Sequence, residues 1–255
     1  MAHPVLFTIG DFAVESYPFF VILGLIAGAI TVKFFADKIR VEKEKVSYLF
    51  MAALVGGVLG AKIPVWIINF KEISALRGLD WAIAVLSGRT IIGGIIGGIL
   101  AVLIVKTKLG IKYGAGDPFA PALAISLAIG RIGCFLRGCC YGKETSLPWA
   151  SYSHDAYRHP TQLYEVLFHS VAFIMMLVFM KRYDKLVKKK VLYPGDMFKM
   201  YIVAYCFFRF MTEFIRADTI PFVLGMSVAQ FVCLTGLLLF LIYFLTRFIK
   251  NNSYK

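Results

Sequence analysis

Long apolar runs alternate with short polar connections along this chain, and the runs recur at the length a bilayer demands. A membrane core takes about 20 consecutive apolar residues as a helix, and the pattern predicts helices at approximately 15–36, 46–70, 90–106, 119–137, 163–181, 197–215 and 222–249. The third run, "TIIGGIIGGILAVLIV", is short and glycine-rich. It predicts close helix packing rather than lipid exposure, as do Gly56, Gly57 and Gly60 in the second run and Gly93, Gly94, Gly97 and Gly98 in the third. The expected fold is an all-α integral membrane protein of about seven transmembrane helices. No helix repeat, low-complexity tract or Pro/Gly/Ser-rich linker divides it, so a single domain over 1–255 is expected, with its longest outer loop at about 138–162.

Charge orients the predicted spans. Lys33, Lys38, Arg40, Lys43 and Lys45, then Lys106, Lys108 and Lys112, then Lys181 to Lys190, then Arg247, Lys250 and Lys255 all fall on one side. The other side carries fewer: Lys71, Arg77, Arg89, Arg137, Lys143, Arg158 and Arg216. Basic connections stay cytoplasmic, which predicts the N-terminus outside and the C-terminus inside. The opening "MAHPVLFTIGDFAVES" has no basic n-region and no small-residue cleavage site, so the first run is expected to remain a span.

Composition agrees: 59% of the residues are hydrophobic and the mean hydropathy is +0.75, which points away from a water-soluble core. The net charge of +13 does not predict a nucleic-acid partner, because the basic residues recur between apolar runs instead of forming one stripe. The triple lysine at 188–190 reads as a solvated face near anionic lipid.

The charges left inside the runs carry the candidate chemistry. Lys62, Arg131 and Arg209 lie at membrane depth, where a charge costs on the order of 2.5–3.5 kcal/mol on the mildest scale and so needs a partner or a wet cavity. In "YCFFRFMTEFIR", Tyr205, Arg209, Glu213 and Arg216 fall on one helical stripe. For Arg216 alone the simpler expectation is a side chain snorkelling to the outer interface. "HPTQLYE" opens the fifth run, with Pro160 suited to a first helical turn and Gln162 and Glu165 on one face.

In "GRIGCFLRGCCYG", residues Gly130 to Gly142, Arg131 and Cys134 point the same way while Gly130, Gly133 and Gly138 permit a close approach. Three runs ending in polar groups on the outer side predict a shared positive cavity for an anionic ligand. A phospholipid phosphate matches the guanidinium fork, and arginines that tighten on a leaving phosphate would promote displacement at the adjoining carbon. Composition and spacing do not separate a lipid-using transferase from a lipid-binding protein. A transporter gains little support, since the sequence shows no paired broken helices and no repeat symmetry.

These motifs resemble those of the bacterial prolipoprotein diacylglyceryl transferase family along nearly the whole chain. The similarity runs from "IGDFAVESYPFFVILG" through "LGAKIPVWI", "GDPFAPALAISLAIGRIGCF" and "HPTQLYE" to "RFMTEFIR" and "MSVAQ". It implies a multi-pass enzyme of the cytoplasmic (inner) membrane without cofactor or metal. Such an enzyme moves the diacylglyceryl group of phosphatidylglycerol onto the lipobox cysteine in the signal peptide of a prolipoprotein, releasing glycerol phosphate. By position, Arg131, Arg209, Glu213 and Glu165 are the implied catalytic residues. Lys62, Tyr17, Arg216, Gln162, Tyr164, His159, Gln230 and Gly133 are the implied substrate-binding ones, with Lys62 standing where an arginine is usual.

The chain also departs from the pattern. Cys134 and Cys139 replace an Asn and a Glu of the family signature, Arg137 replaces a second Asn, and Ile92 stands where a His or Tyr precedes the glycine pair. Either another group, among Glu165, Glu213 and a tyrosine, deprotonates the acceptor thiol, or the acceptor differs; a family member that binds phospholipid or a lipoprotein without turnover is a further alternative. Cys206 and Cys233 read as small core residues. Cys134, Cys139 and Cys140 form a C-x4-C-C group that lacks zinc-site spacing and would need His159 from another segment as a fourth ligand, so a disulfide, a reactive thiolate beside Arg131, or plain packing is expected.

Overall fold

A computed structural model describes residues 3–35, 42–86, 91–111, 116–189, 193–219 and 221–252. The protein is mostly helical, and it falls into two compact units, one formed by Met1–Lys38 with Gly116–Lys255 and the other by Ile39–Ala115. Lys38, Arg40, Arg89, Lys112, Lys190 and Lys255, all used above to orient the spans, lie outside the described residues.

In the first unit, strands β1 (Val5–Ile9) and β2 (Phe12–Glu15) precede helix α1 (Ser16–Phe35). Numbering continues along the chain through the second unit: α2 (Lys43–Ile68), α3 (Phe70–Ala75), α4 (Gly78–Leu86) and α5 (Ile91–Lys108). The first unit resumes with α6 (Phe119–Arg137), β3 (Ser151–Ser153), β4 (Ala156–Arg158), α7 (Thr161–Lys181), α8 (Tyr183–Lys188), α9 (Asp196–Glu213), β5 (Pro221–Val223), β6 (Met226–Ser227) and α10 (Val228–Asn252).

Among the described residues, five helices are long and apolar enough to cross a membrane: Ser16–Phe35, Glu44–Ile67, Phe119–Arg137, Thr161–Lys181 and Val228–Thr246. The other two predicted runs are also helical, as α5 and α9. The protein is therefore a helical membrane protein, and its helices turn apolar surface outward: Phe19, Ile22, Ile26, Ile30 and Phe34 on α1 and Leu167, Val171, Ile174 and Val178 on α7 are exposed.

The helical expectation holds, and three short antiparallel hairpins accompany the helices, one before α1 and two between helices. Each turns on two residues: Gly10 and Asp11 between β1 and β2, His154 and Asp155 between β3 and β4, Leu224 and Gly225 between β5 and β6. The last two have positive φ at both positions, the tight hairpin geometry that matches strand twist. The final helix accordingly begins at Val228, after β5 and β6, rather than at 222.

Small residues set the helix contacts. α1 packs on α6 where Gly24 meets Ser126: the Ser126 hydroxyl donates to the Gly24 carbonyl at 2.8 Å, and a Cβ at Gly24 would sit 2.7 Å from the Ser126 carbonyl oxygen. In the second unit α2 and α5 approach through Gly56, Gly60 and Gly97; a Cβ on Gly56 would come within 2.5 Å of the Gly97 carbonyl. The glycine-rich third run is a packing surface, as its sequence predicts.

A buried cluster of Phe35, Ala120, Ala124, Met176, Met180, Tyr183, Met197 and Tyr201 ties α1, α6, α7 and α9 together. Beside it Asp117, 1% exposed, accepts hydrogen bonds from the Tyr183 hydroxyl at 2.6 Å and from the backbone N–H groups of Gly195 at 2.7 Å and Phe198 at 3.1 Å. This carboxylate fixes the start of α6 against the start of α9.

Candidate functional site

At the C-terminal end of α6, two carboxylates gather three arginines. Arg131 on α6 places Nε 2.6 Å from Glu165 Oε2 on α7, and Arg209 on α9 places Nη1 2.5 Å from Glu213 Oε2 one turn along. Arg216, just beyond α9, bridges the two glutamates, with Nη1 3.7 Å from Glu165 Oε1 and Nε 3.8 Å from Glu213 Oε2. Its Nη2 lies 2.7 Å from Asp218 Oδ2.

Arg216 therefore does not snorkel to the interface; it is 7% exposed. The helix stops at Glu213, and the chain folds back through a bridge between Arg216 and Gly142. Burial works against the Arg216 charge, but Asp218 and then Cys140 restore it, so the guanidinium is held above its ordinary pKa.

The network is charged but incompletely hydrogen-bonded. Glu165 Oε1, Arg216 Nη1 and, nearby on α7, His169 Nε2 are buried without a hydrogen-bond partner, and Glu213 Oε2 and Arg209 Nη1 have only ion-pair partners. Buried ion pairs stabilise only when their remaining polar atoms are satisfied, and unsatisfied buried groups in a folded protein call for a function or a ligand. Arg131 and Arg209, at 19% and 15% side-chain exposure, are the arginines that still reach open space.

Other predicted residues support this network. Gln162, 4% exposed, donates to the Cys139 carbonyl at 2.6 Å, and Thr161 donates to that of Cys140 at 2.6 Å. Gln230 accepts from the Ser227 N–H at 3.0 Å while the Ser227 hydroxyl donates to Glu213 Oε1 at 2.8 Å. The "SVAQ" start of α10 is thus a reciprocal cap that also holds a site carboxylate. Tyr164 accepts from Trp149 Nε1 at 2.9 Å and lies 3.1 Å from His159 Nδ1, outside the arginine network. Tyr17 stacks under the Arg137 guanidinium at 5.4 Å.

Gly133 faces α1, where a Cβ would meet Phe20 Cβ at 2.9 Å and Tyr17 Cα at 3.3 Å, whereas a Cβ on Gly130 would meet nothing within 4 Å. Lys62 belongs to α2 of the second unit. Ile92 lies in α5, and its side chain is outside the described ones. Cys134, Cys139 and Cys140 bring their sulfurs within 4.8 Å of one another.

Sequence reasoning missed Tyr201 and His169, joined at 2.9 Å, and the contact of Tyr205 with Glu165 at 3.5 Å. His169 lies four residues beyond Glu165, so the i, i+4 rule that picked out the Arg209 stripe would also have found it.

Fold and site together define a helical membrane protein built around a buried centre of arginines and glutamates. The family model described as prolipoprotein diacylglyceryl transferase matches residues 4–246. The chain belongs to that family and is a transferase. A Clostridium tetani protein named phosphatidylglycerol–prolipoprotein diacylglyceryl transferase is 29% identical over 97% of this chain and 99% of its own length. Proteins of the same name from Gloeobacter violaceus and Campylobacter hominis are 31% and 27% identical, each over 92% of this chain and over 89% and 88% of their own lengths.

Proposed function

We propose that the chain transfers the diacylglyceryl group of phosphatidylglycerol to the lipobox cysteine of a prolipoprotein signal peptide and releases glycerol phosphate. One observation carries this reading: Arg131, Arg209 and Arg216 converge on two glutamates, with Glu165 Oε1, Arg216 Nη1 and His169 Nε2 buried around them without a hydrogen-bond partner. The arrangement supplies guanidinium groups for a phosphodiester once the carboxylates release them.

In the proposed reaction Arg131 and Arg209 exchange their carboxylates for the lipid phosphate. The acceptor sulfur attacks the glycerol carbon next to that phosphate; the S–C bond forms as the C–O bond breaks, and its electron pair leaves on the phosphate oxygen. Charge grows on that oxygen in the transition state, where fixed guanidinium groups lower the barrier most. The thiol proton passes to Glu165, whose Oε1 has no hydrogen-bond partner, and from there to the departing phosphate. Glu213 and Arg216 position the other groups. Lys62 is assigned to the phosphate on its place in the motif alone, and Tyr17, Gln162, Tyr164, His159, Gln230 and Gly133 are assigned to shaping the two substrate paths.

The same reading includes seven spans in a bacterial inner membrane, with the N-terminus outside and both units acting as one transferase domain. The apolar helices and the length of the family match support it. Purified protein given labelled phosphatidylglycerol and a lipobox peptide is expected to release glycerol phosphate and form a thioether-linked peptide. Lipid binding without glycerol phosphate release, from folded protein, would favour a family member that binds lipid only. Release that needs a different thiol acceptor would reassign the second substrate.

A further inference from the structure

Three thiols converge beside the ion-pair network. Cys134 lies in the last turn of α6, which Gly138 ends at a positive φ of 75°, and Cys139 and Cys140 follow directly. All three sulfurs lie within 4.8 Å of one another. Cys140 has a φ of 65°, a left-handed conformation that a residue with a Cβ adopts only under constraint. The constraint comes from α7, where Thr161 and Gln162 hold the carbonyls of Cys140 and Cys139 at 2.6 Å each. Small core cysteines need no such effort.

We propose that Cys134, Cys139 and Cys140 form a three-coordinate thiolate site for a soft monovalent metal ion, Cu(I). A metal at the centre of three sulfurs, with bonds of about 2.3 Å, sets those sulfurs about 4 Å apart, which the cluster reaches with little closure. Soft thiolates select Cu(I), whereas structural zinc takes four ligands. Among the described residues no fourth His, Cys, Asp or Glu joins the group, and His159 turns its Nδ1 to Tyr164 instead.

Charge supports the same choice. One Cu(I) bound by three thiolates carries two negative charges, each thiol having released its proton to solvent, and two guanidinium groups act on the cluster: Arg131 on Cys134 and Cys140, and Arg216 on Cys140.

The test uses the full chain in detergent, reduced and kept free of oxygen, with Cu(I) titrated against a chromophoric chelator and neither lipid nor peptide present, so that its outcome is independent of the transferase reading. One Cu(I) per chain is expected, with three sulfur neighbours by X-ray absorption. Cys134→Ser, Cys139→Ser and Cys140→Ser should each weaken binding by at least about tenfold, while Cys206→Ser and Cys233→Ser should leave it unchanged. A measurement on the unaltered protein guards against variants that fail to fold: one equivalent of Cu(I) should protect Cys134, Cys139 and Cys140, and neither of the other two cysteines, from alkylation. Equal alkylation of all five with and without Cu(I), or a disulfide within the trio in protein prepared without oxygen, would overturn the proposal.

Discussion

Two buried polar clusters sit on the same helices and are built in opposite ways. Asp117, at the start of α6, accepts from three donors, and the Tyr183 hydroxyl and two backbone N–H groups leave it satisfied. At the far end of α6 the arginines and glutamates pair by charge, yet Glu165 Oε1 and Arg216 Nη1 have no hydrogen-bond partner. A satisfied buried carboxylate holds a fold together; a half-satisfied one is poised to exchange partners. Stability and chemistry are therefore expected to separate along this pair of clusters.

The largest effect should fall on turnover. Arg131→Ala removes the guanidinium that Glu165 holds, and kcat/KM for glycerol phosphate release should drop by about 10³, or roughly 4 kcal/mol. A variant that keeps more than a tenth of wild-type kcat/KM would move the phosphate elsewhere. Asp117→Leu should do the reverse, lowering unfolding free energy by roughly 3 kcal/mol because three donors lose their acceptor, while the folded fraction turns over normally. Denaturation monitored alongside activity separates the two.

Tyr183→Phe sharpens the comparison through pH. Burial and then Asp117 push the Tyr183 phenol well above its ordinary pKa. A raised folded pKa gives stability that is complete below the unfolded phenol pKa of about 10 and is lost as pH rises through the folded value. The phenylalanine variant should be less stable by about 1 kcal/mol at neutral pH and lose less of that stability in alkali. Parallel alkaline melts of the two proteins would contradict this. The smallest effect belongs to Lys45→Ala, whose partner Glu42 is 71% exposed at 2.9 Å; thermal unfolding should place it within about 0.5 kcal/mol of the parent.

The contrast between the clusters also explains what the sequence could reveal. Arg131, Arg209 and Glu213 stood out because a charge in an apolar run is costly enough to demand a reason, and α6 falls on the predicted 119–137. Arg216 misled for a local reason: its three-residue offset from Glu213 continues the stripe only if the helix continues, and the helix ends at Glu213. Asp117 carried no such signal. It sits in a turn outside any apolar run, and its donors lie 66 to 81 residues away. The hairpins escaped notice because strands of two to five residues show too little alternation to register beside runs of twenty. The cysteines were visible as departures from a motif, but their convergence depends on the positive φ of Gly138 and Cys140, which residue spacing does not encode.

On the proposed function the buried arginines serve a departing phosphate and are not needed for the fold. Arg209→Met combined with Glu213→Leu tests it directly, since apolar replacement of a buried ion pair is commonly neutral or stabilising. Glycerol phosphate release from labelled phosphatidylglycerol should be lost in a double variant that remains folded, with an unfolding free energy within about 2 kcal/mol of the parent. Release at the parental rate from that variant would contradict the account.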